Sequence, residues 1–375
     1  MEENKLKIKT LTCHDIYNFG ASLQAYALIT HLKKLGHDVE IIDYKPDFLT
    51  FDLWAIGDKW KKNPFVKFAY FAYVVPKRLL MHGRRKKFDS FTKKQLILTN
   101  KKYINFDELK ENPPQADIFF AGSDQIWNPL LPNGKDPSFF LDFTKKSAIR
   151  ASYAASFSVT EIPDNLVDQM LAMLNRLDFI SVREESGNQL LQQHGVQGEV
   201  VVDPVFLLPA ADWAKLTVKK PKDDYIFVYD QENNKILKET ALHLAKKYNL
   251  KIYAIEALYP LRYADKRIND AGPKEFLTLI QNCTVCLTNS FHCISFSLIF
   301  NKNFLFFKRT HMKVNSRMDD LLAYLDLQSH AVSAFKEHVD IINIDYEKVD
   351  KKIDVKRKSS FQFIDRVLEH AQKNV

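Results

Sequence analysis

The sequence predicts two doubly wound α/β domains facing one cleft, and three observations carry that prediction. A chain of 375 residues is longer than one ordinary hydrophobic core serves. Short apolar runs alternate with helical periodicity, and they do so in two successive arrays. Polar turns follow several of the short runs, at the strand ends where open α/β sheets bind ligands.

The first array opens with an apolar strand over residues 6–13, running into His14-Asp15-Ile16-Tyr17-Asn18-Phe19-Gly20. A helix follows over about 21–35, with Leu23, Ala27, Leu28 and Leu32 near helical spacing and Gly36 placed as a C′ glycine. Residues 39–44 form the next strand, completing a right-handed parallel βαβ unit. Further strands are expected at 116–121, 148–155 and 179–183, and a helix at 166–177. The second array reads as strand 225–229, helix 235–248, strand 251–255 and helix 273–281. Strand 285–287, helix 294–300, strand 304–307 and helix 316–325 continue it. These elements divide the chain into a first domain at 1–206, a linker at 207–223 holding Pro209 and Pro221, and a second domain at 224–355. A last helix, about 360–373 within a 356–375 tail, is expected to pack back on the first domain.

Composition bounds the class. Hydrophobic content of 46% and charged content of 27% are those of a soluble globular protein. Four cysteines are too few for a disulfide framework, and Cys283, Cys286 and Cys293 lie in apolar surroundings, so a reducing cytoplasm is expected. The first residues show no apolar secretory segment, and no run of ~20 apolar residues suits a membrane span. No grouping of aspartates or cysteines suggests a metal, and neither a dinucleotide nor a P-loop fingerprint is present.

Charge is concentrated. Between Lys59 and Lys94 there are twelve Lys or Arg and one acid, Asp89, so this segment holds +11 of a chain whose total is +8. The same segment contains an aromatic run, Phe65 to Val75. Two readings fit. It lies at an anionic membrane surface, each basic residue contributing on the order of 1 kcal/mol, or it is a solvated basic helix pair covering the first domain with its aromatics as core. No nucleic-acid motif accompanies the patch, so nucleic acid is not an expected partner.

The turn Thr288-Asn289-Ser290-Phe291-His292-Cys293 joins a buried strand to a buried helix. A helix starting there turns free N–H groups and its positive dipole end toward the cleft, which suits an anion. His292 would stand beside that anion and could move a proton near neutral pH. The alternative is a hydrogen-bonded histidine at an ordinary turn.

Several segments in order resemble the polysaccharide pyruvyl transferase family. They are Asn18-Phe19-Gly20-Ala21-Ser22-Leu23-Gln24, Leu35-Gly36-His37 and Ile42-Asp43-Tyr44, then Gly122-Ser123-Asp124-Gln125-Ile126-Trp127-Asn128-Pro129 and Tyr153-Ala154-Ala155-Ser156. Ser181-Val182-Arg183-Glu184, Val202-Asp203-Pro204-Val205, Ser290-Phe291-His292 and Asn315-Ser316-Arg317 complete the series, which spans roughly residues 8 to 327. One departure is Cys293, where the family pattern leads to an expectation of glycine. The resemblance implies the two-domain GT-B layout. It also implies transfer of a pyruvyl group from phosphoenolpyruvate onto two hydroxyls of one sugar, giving a cyclic ketal in cell-surface polysaccharide synthesis. No cofactor beyond that donor is expected.

Such chemistry needs an acid/base and cations for carboxylate and phosphate. His292 is the expected acid/base and Arg183 the expected anion ligand, able to grip carboxylate or phosphate with two hydrogen bonds; an ion pair with Glu184 or Glu185 is the alternative for Arg183. Asn289, Ser290, Phe291, Lys308, Arg309 and Arg317 are expected on the donor side. Asn18, Gly20, Ser123, Asp124, Gln125, Trp127 and Asn128 are expected on the acceptor side, with Trp127 alternatively a buried indole. The acceptor is a saccharide, lipid-linked or free, and the enzyme is expected in the cytoplasm, on the inner face of the plasma membrane if 59–94 is an anchor. Glycosyl transfer from a nucleotide sugar and a non-catalytic membrane scaffold are the competing functions.

Overall fold

The computed structural model describes residues 5–49, 82–145, 147–256, 260–310 and 315–374. Strands β1 (Lys7–Leu11), β2 (Asp38–Tyr44), β3 (Leu98–Tyr103), β4 (Ile118–Ala121) and β5 (Ile149–Ser152) form one parallel sheet in the order β3-β2-β1-β4-β5. Strands β8 (Tyr225–Tyr229), β9 (Lys251–Ile255), β10 (Lys266–Ile268), β11 (Val285–Thr288), β12 (Asn303–Phe307) and β13 (Ala331–Val332) form a second, in the order β10-β9-β8-β11-β12-β13. The short pair β6 (Ser181–Val182) and β7 (Glu199–Val200) extends the first through bridges from Ala151 to Phe179 and from Ala155 to Val182. Central strands such as Ile118-Phe119-Phe120-Ala121 and Tyr225 to Tyr229 are apolar and buried throughout, as a parallel sheet covered on both faces demands. This is the two-part GT-B architecture.

Each sheet reverses its winding once, between β1 and β4 in the first and between β8 and β11 in the second. Loops diverge at such a reversal and leave a crevice beyond the strand ends. The turns that carry Asn18, Asp124, Gln231 and His292 all follow one of these four strands.

Helix α1 (Phe19–Lys34) starts at the end of β1, and helix α2 (His82–Gln95) packs on the other half of the molecule. Arg84 of α2 is buried, donates to the Glu256 carbonyl at 3.1 Å and lies over the Phe19 ring at 4.7 Å. Lys87 pairs with Asp270 and Glu275 at 2.9 and 3.1 Å. So the described part of the basic segment, from residue 82 onward, uses two of its cations, Arg84 and Lys87, to bridge the two halves. The aromatic run at 65–75 lies outside the described residues. No described helix is long and apolar enough to cross a membrane.

Between the sheets the core is continuous. Phe19 stacks on Phe276, centroids 4.5 Å apart, in helix α8 (Pro273–Asn282), and both rings meet Tyr229. The expected linker is not extended. It carries helix α6 (Ala210–Ala214), and Trp213 is wholly buried against Tyr26 and Phe296. The final helix, α11, runs Tyr346–Asn374, fourteen residues earlier in its start than the periodicity suggested. Its Ser360 hydroxyl accepts from the Val202 amide at 2.9 Å, and Phe363, Ile364 and Val367 enter the core beside Tyr153.

Elements that went unread in the sequence include the polar edge strand β3, the small helix α3 (Phe106–Glu111) and helix α5 (Glu185–Gln193), while the helix expected at 166–177 is helix α4, Asp164–Leu174. The interface core predicts that Phe276→Ala, which removes the ring at the centre of this cluster, lowers stability by about 3–5 kcal/mol. Urea unfolding followed by tryptophan fluorescence measures it, and a loss under 1 kcal/mol would show that the rings contribute little to holding the halves together.

Candidate functional site

The site is built where the two winding reversals face each other. At the end of β11, the Thr288 hydroxyl donates to the Tyr229 carbonyl at 2.8 Å and accepts from the Ser290 amide at 3.1 Å, which sets the turn. Asn289 is a brace. Its side-chain amide donates to Asp230 at 2.7 Å, and its side-chain oxygen accepts from the Gln231 amide at 2.9 Å, so the side chain joins the ends of β8 and β11. Ser290 then occupies the N-cap of helix α9 (Phe291–Ile299), and its side chain caps none of the helix amides. The first-turn N–H groups are left for something else.

His292 lies in that first turn and is 8% exposed. Its Nε2 is 3.5 Å from the Asp203 carboxylate, a close electrostatic contact rather than a formed hydrogen bond. The other ring nitrogen faces α1. A Cβ placed on Gly20 would come within 2.0 Å of Nδ1, so only glycine lets the start of α1 approach the imidazole this closely. Gly20 was expected against the acceptor; it makes room for His292 instead. Behind His292, Cys293 turns inward, its sulfur 3.3 Å from that of Cys286, where the extra volume is accommodated in the core.

Asp203 is the residue that sequence reading missed as part of the site, although it lay inside a quoted segment. It is fully buried, accepts from Arg183 Nη1 at 2.8 Å and Ser123 Oγ at 3.3 Å, and takes the Val205 amide at 3.1 Å. Burial alone would raise its pKa. The charges of His292 and Arg183, with the Val205 amide, outweigh burial and hold the carboxyl far below the usual carboxylate range.

Arg183 therefore changes role. Its side chain is 0% exposed and sits among Asp203, Glu184 and Asp124 at 2.8, 3.5 and 3.8 Å. Its charge is already balanced within the protein, and its partners include the Glu184 named as the alternative. Arg317, in helix α10 (Ser316–Tyr324), is the cation left over. It is 8% exposed, makes no ion pair with a described carboxylate, and its Nε has no hydrogen-bond partner among the described residues. Burial, then the charge of Arg183, lowers its pKa to about 10. Both guanidiniums lie over the Phe291 ring, Arg183 at 5.0 Å and Arg317 at 5.5 Å from its centroid.

His292, Phe291 and Arg317 border a polar cavity of about 90 Å³. From the second half it is lined by Asn289, Ser290, Phe291, His292, Arg309 and Arg317, with Gln231 and Met318, which were not expected. From the first half come Asn18, Asp124 and Gln125. Arg309 is held by Glu232 at 3.2 Å. Lys308 points away to Asp319 at 2.9 Å and does not line the cavity, which corrects its donor-side placement.

Three acceptor-side expectations also fail on burial. Trp127 is 0% exposed, its Nε1 donating to the Phe139 carbonyl at 3.0 Å, so the indole is core and not a sugar platform. Ser123 is buried against Asp203, and Asn128 closes its own turn by accepting from the Leu130 amide at 3.0 Å.

The sequence profile of the polysaccharide pyruvyl transferases matches residues 18–311, most of the chain. The protein belongs to the polysaccharide pyruvyl transferase family. No curated protein matches it in sequence. Among solved structures, a putative UDP-N-acetylglucosamine 2-epimerase from Listeria monocytogenes superposes with a TM-score of 0.52 at 9% identity, over 99% of this chain and 90% of that one. An alpha-glucosyltransferase solved with UDP gives 0.48 at 10% identity, over 98% of this chain and 95% of that one. At such identity the likeness is one of fold.

For this family member the buried cluster makes two predictions. Asp203→Asn leaves Arg183 short of its closest counter-charge and lowers stability by about 3–5 kcal/mol. Because the folded pKa of Asp203 lies below its unfolded value of about 3.9, its contribution is fully present above that pH and is lost as pH falls through the folded value. Thermal midpoints of wild type and variant should thus converge as pH drops below about 4; a gap that stays constant would remove Asp203 from the acid limb. Gly20→Ala should cost about 1–3 kcal/mol by forcing the His292 ring aside, and its crystal structure should show that ring displaced. An unmoved imidazole would refute the steric account.

Proposed function

We propose that the protein is a ketal-forming pyruvyl transferase. It would move the pyruvyl group of phosphoenolpyruvate onto two hydroxyls of one sugar during cell-surface polysaccharide synthesis. The observation that carries this reading is Arg317: a buried guanidinium with no described counter-ion, beside the uncapped start of α9 and beside His292. A buried cation without a partner is costly unless an anion arrives. The family supplies the saccharide side of the reaction, and phosphoenolpyruvate supplies an anion of compact size bearing both carboxylate and phosphate.

In this reading Arg317, Arg309 and the α9 amides hold the donor's charges, and Ser290 adds a hydroxyl. His292, oriented by Asp203 and Gly20, protonates the enol methylene, so that the adjacent carbon gains oxocarbenium character and accepts a sugar hydroxyl. The reading assigns no metal and no further cofactor. It places the enzyme in the cytoplasm, with a lipid-linked acceptor at the membrane and the 59–94 segment as its anchor. Nucleotide-sugar transfer is the weaker reading, because the family profile that matches residues 18–311 is that of the polysaccharide pyruvyl transferases.

Thermal midpoints of the purified protein with phosphoenolpyruvate, uridine diphosphate and pyruvate test the donor. A ligand that binds only the folded state raises the midpoint by mass action. Phosphoenolpyruvate alone should raise it, and Arg317→Ala should weaken that binding about 10- to 100-fold by removing a charge-assisted contact. A shift with uridine diphosphate alone would reassign the protein to glycosyl transfer, and no shift with phosphoenolpyruvate would overturn the donor site.

A further inference from the structure

We infer that Asp124 is the second proton-handling group of the cavity, the base that takes the proton of the first sugar hydroxyl. This rests on the pyruvyl-transfer reading and assigns to it a step that His292 does not perform. Ketal formation releases two hydroxyl protons. One is replaced by the proton delivered to the donor's methylene carbon, and the other must reach the departing phosphate. Two acceptors of protons close that cycle without bulk water.

The cavity contains two. Among the described residues that line it, Asp124 is the one carboxylate and His292 the one imidazole; the rest are amides, a serine, a phenylalanine, a methionine and two arginines. The pair comes from the two halves of the molecule. Asp124 follows β4 at the winding reversal of the first sheet, and His292 follows β11 at that of the second.

The backbone at Asp124 has a φ of 82°, in the left-handed region. It is held there by a bridge to Ala155, with the Ser156 amide donating to the Asp124 carbonyl at 3.0 Å. One carboxylate oxygen accepts from the Gln125 amide at 2.8 Å, and the same oxygen lies 3.8 Å from Arg183 Nη2. A backbone kept in a sparsely populated conformation, with its side chain on the cavity wall, is the kind of outlier that accompanies function.

The steps balance as follows. Protonated His292 gives its proton to the methylene carbon as the C=C electron pair forms the new C–H bond. The first hydroxyl oxygen bonds to the adjacent carbon and its proton passes to the Asp124 carboxylate. The C–O bond to phosphate then breaks, the pair leaving on the phosphate oxygen, which receives the proton from Asp124. The second hydroxyl bonds to the same carbon and its proton returns to His292. Both residues end as they began.

Asp124→Asn tests this, because asparagine keeps the shape and accepts a left-handed backbone. Asp124→Gly, equally tolerant there, serves as the second variant. Each purified variant is assayed for the phosphoenolpyruvate-induced rise in thermal midpoint. Each is also placed in cells deleted for the gene, and acid-labile pyruvate on their surface polysaccharide is measured. We expect the donor-induced rise to persist in both variants, while transfer falls by on the order of 10²–10⁴-fold, the usual cost of losing a general base, leaving pyruvate at the deletion level. Wild-type pyruvate in either variant would overturn the assignment. So would loss of the donor-induced rise, since the carboxylate would then serve donor binding. If cells with the unaltered gene carry no more pyruvate than the deletion, the pyruvyl-transfer reading itself fails.

Discussion

A carboxylate shut away from water must be neutralised by what surrounds it, and in this protein that requirement falls on Asp203. Arg183 is its nearest counter-charge, at 2.8 Å, while Ser123 and the Val205 amide supply hydrogen bonds. The remaining neighbour is His292, which belongs to the other sheet. Asp203 thus ties the end of the first half to the start of α9. The cost of burying these charges is tolerable only while the set is complete, which makes the relative placement of the halves sensitive to every member.

Packing enforces the same placement from the outside. Gly20 lets α1 meet the imidazole, Phe19 stacks on Phe276, and Arg84 and Lys87 bind groups of the second half. Asp320, one turn beyond Arg317, accepts from the Ser186 amide and hydroxyl at 3.2 and 3.1 Å at the start of α5. Arg317 is therefore positioned by a contact between halves, and the cavity exists only where the halves meet.

Much of the fold was legible because its signals are local. Strands of Val, Ile, Phe and Tyr buried on both faces stand out without alternation, and the helix at Lys235–Tyr248 has its Asn234 cap and amphipathic face in plain view. The edge strand Leu98-Thr99-Asn100-Lys101-Lys102-Tyr103 was illegible, since an exposed edge carries polar residues that look like loop. The last helix was read late because its first turns, Tyr346 to Ser359, present mostly charge.

The sequence by itself determined the two-array α/β architecture, the family, and His292 with Asn18, Asp124, Gln125, Ser290 and Arg317 as polar groups at strand ends. Tertiary structure alone decided how each of the cations is partnered. Arg183, Lys308, Arg309 and Arg317 look alike in a string of letters, yet three meet carboxylates from distant positions and Arg317 meets none that is described. It likewise buried Trp127, turned Gly20 toward His292 and brought Asp203 into the site. Each outcome depends on pairwise distances between residues far apart in the chain, and spacing along a sequence does not encode those distances.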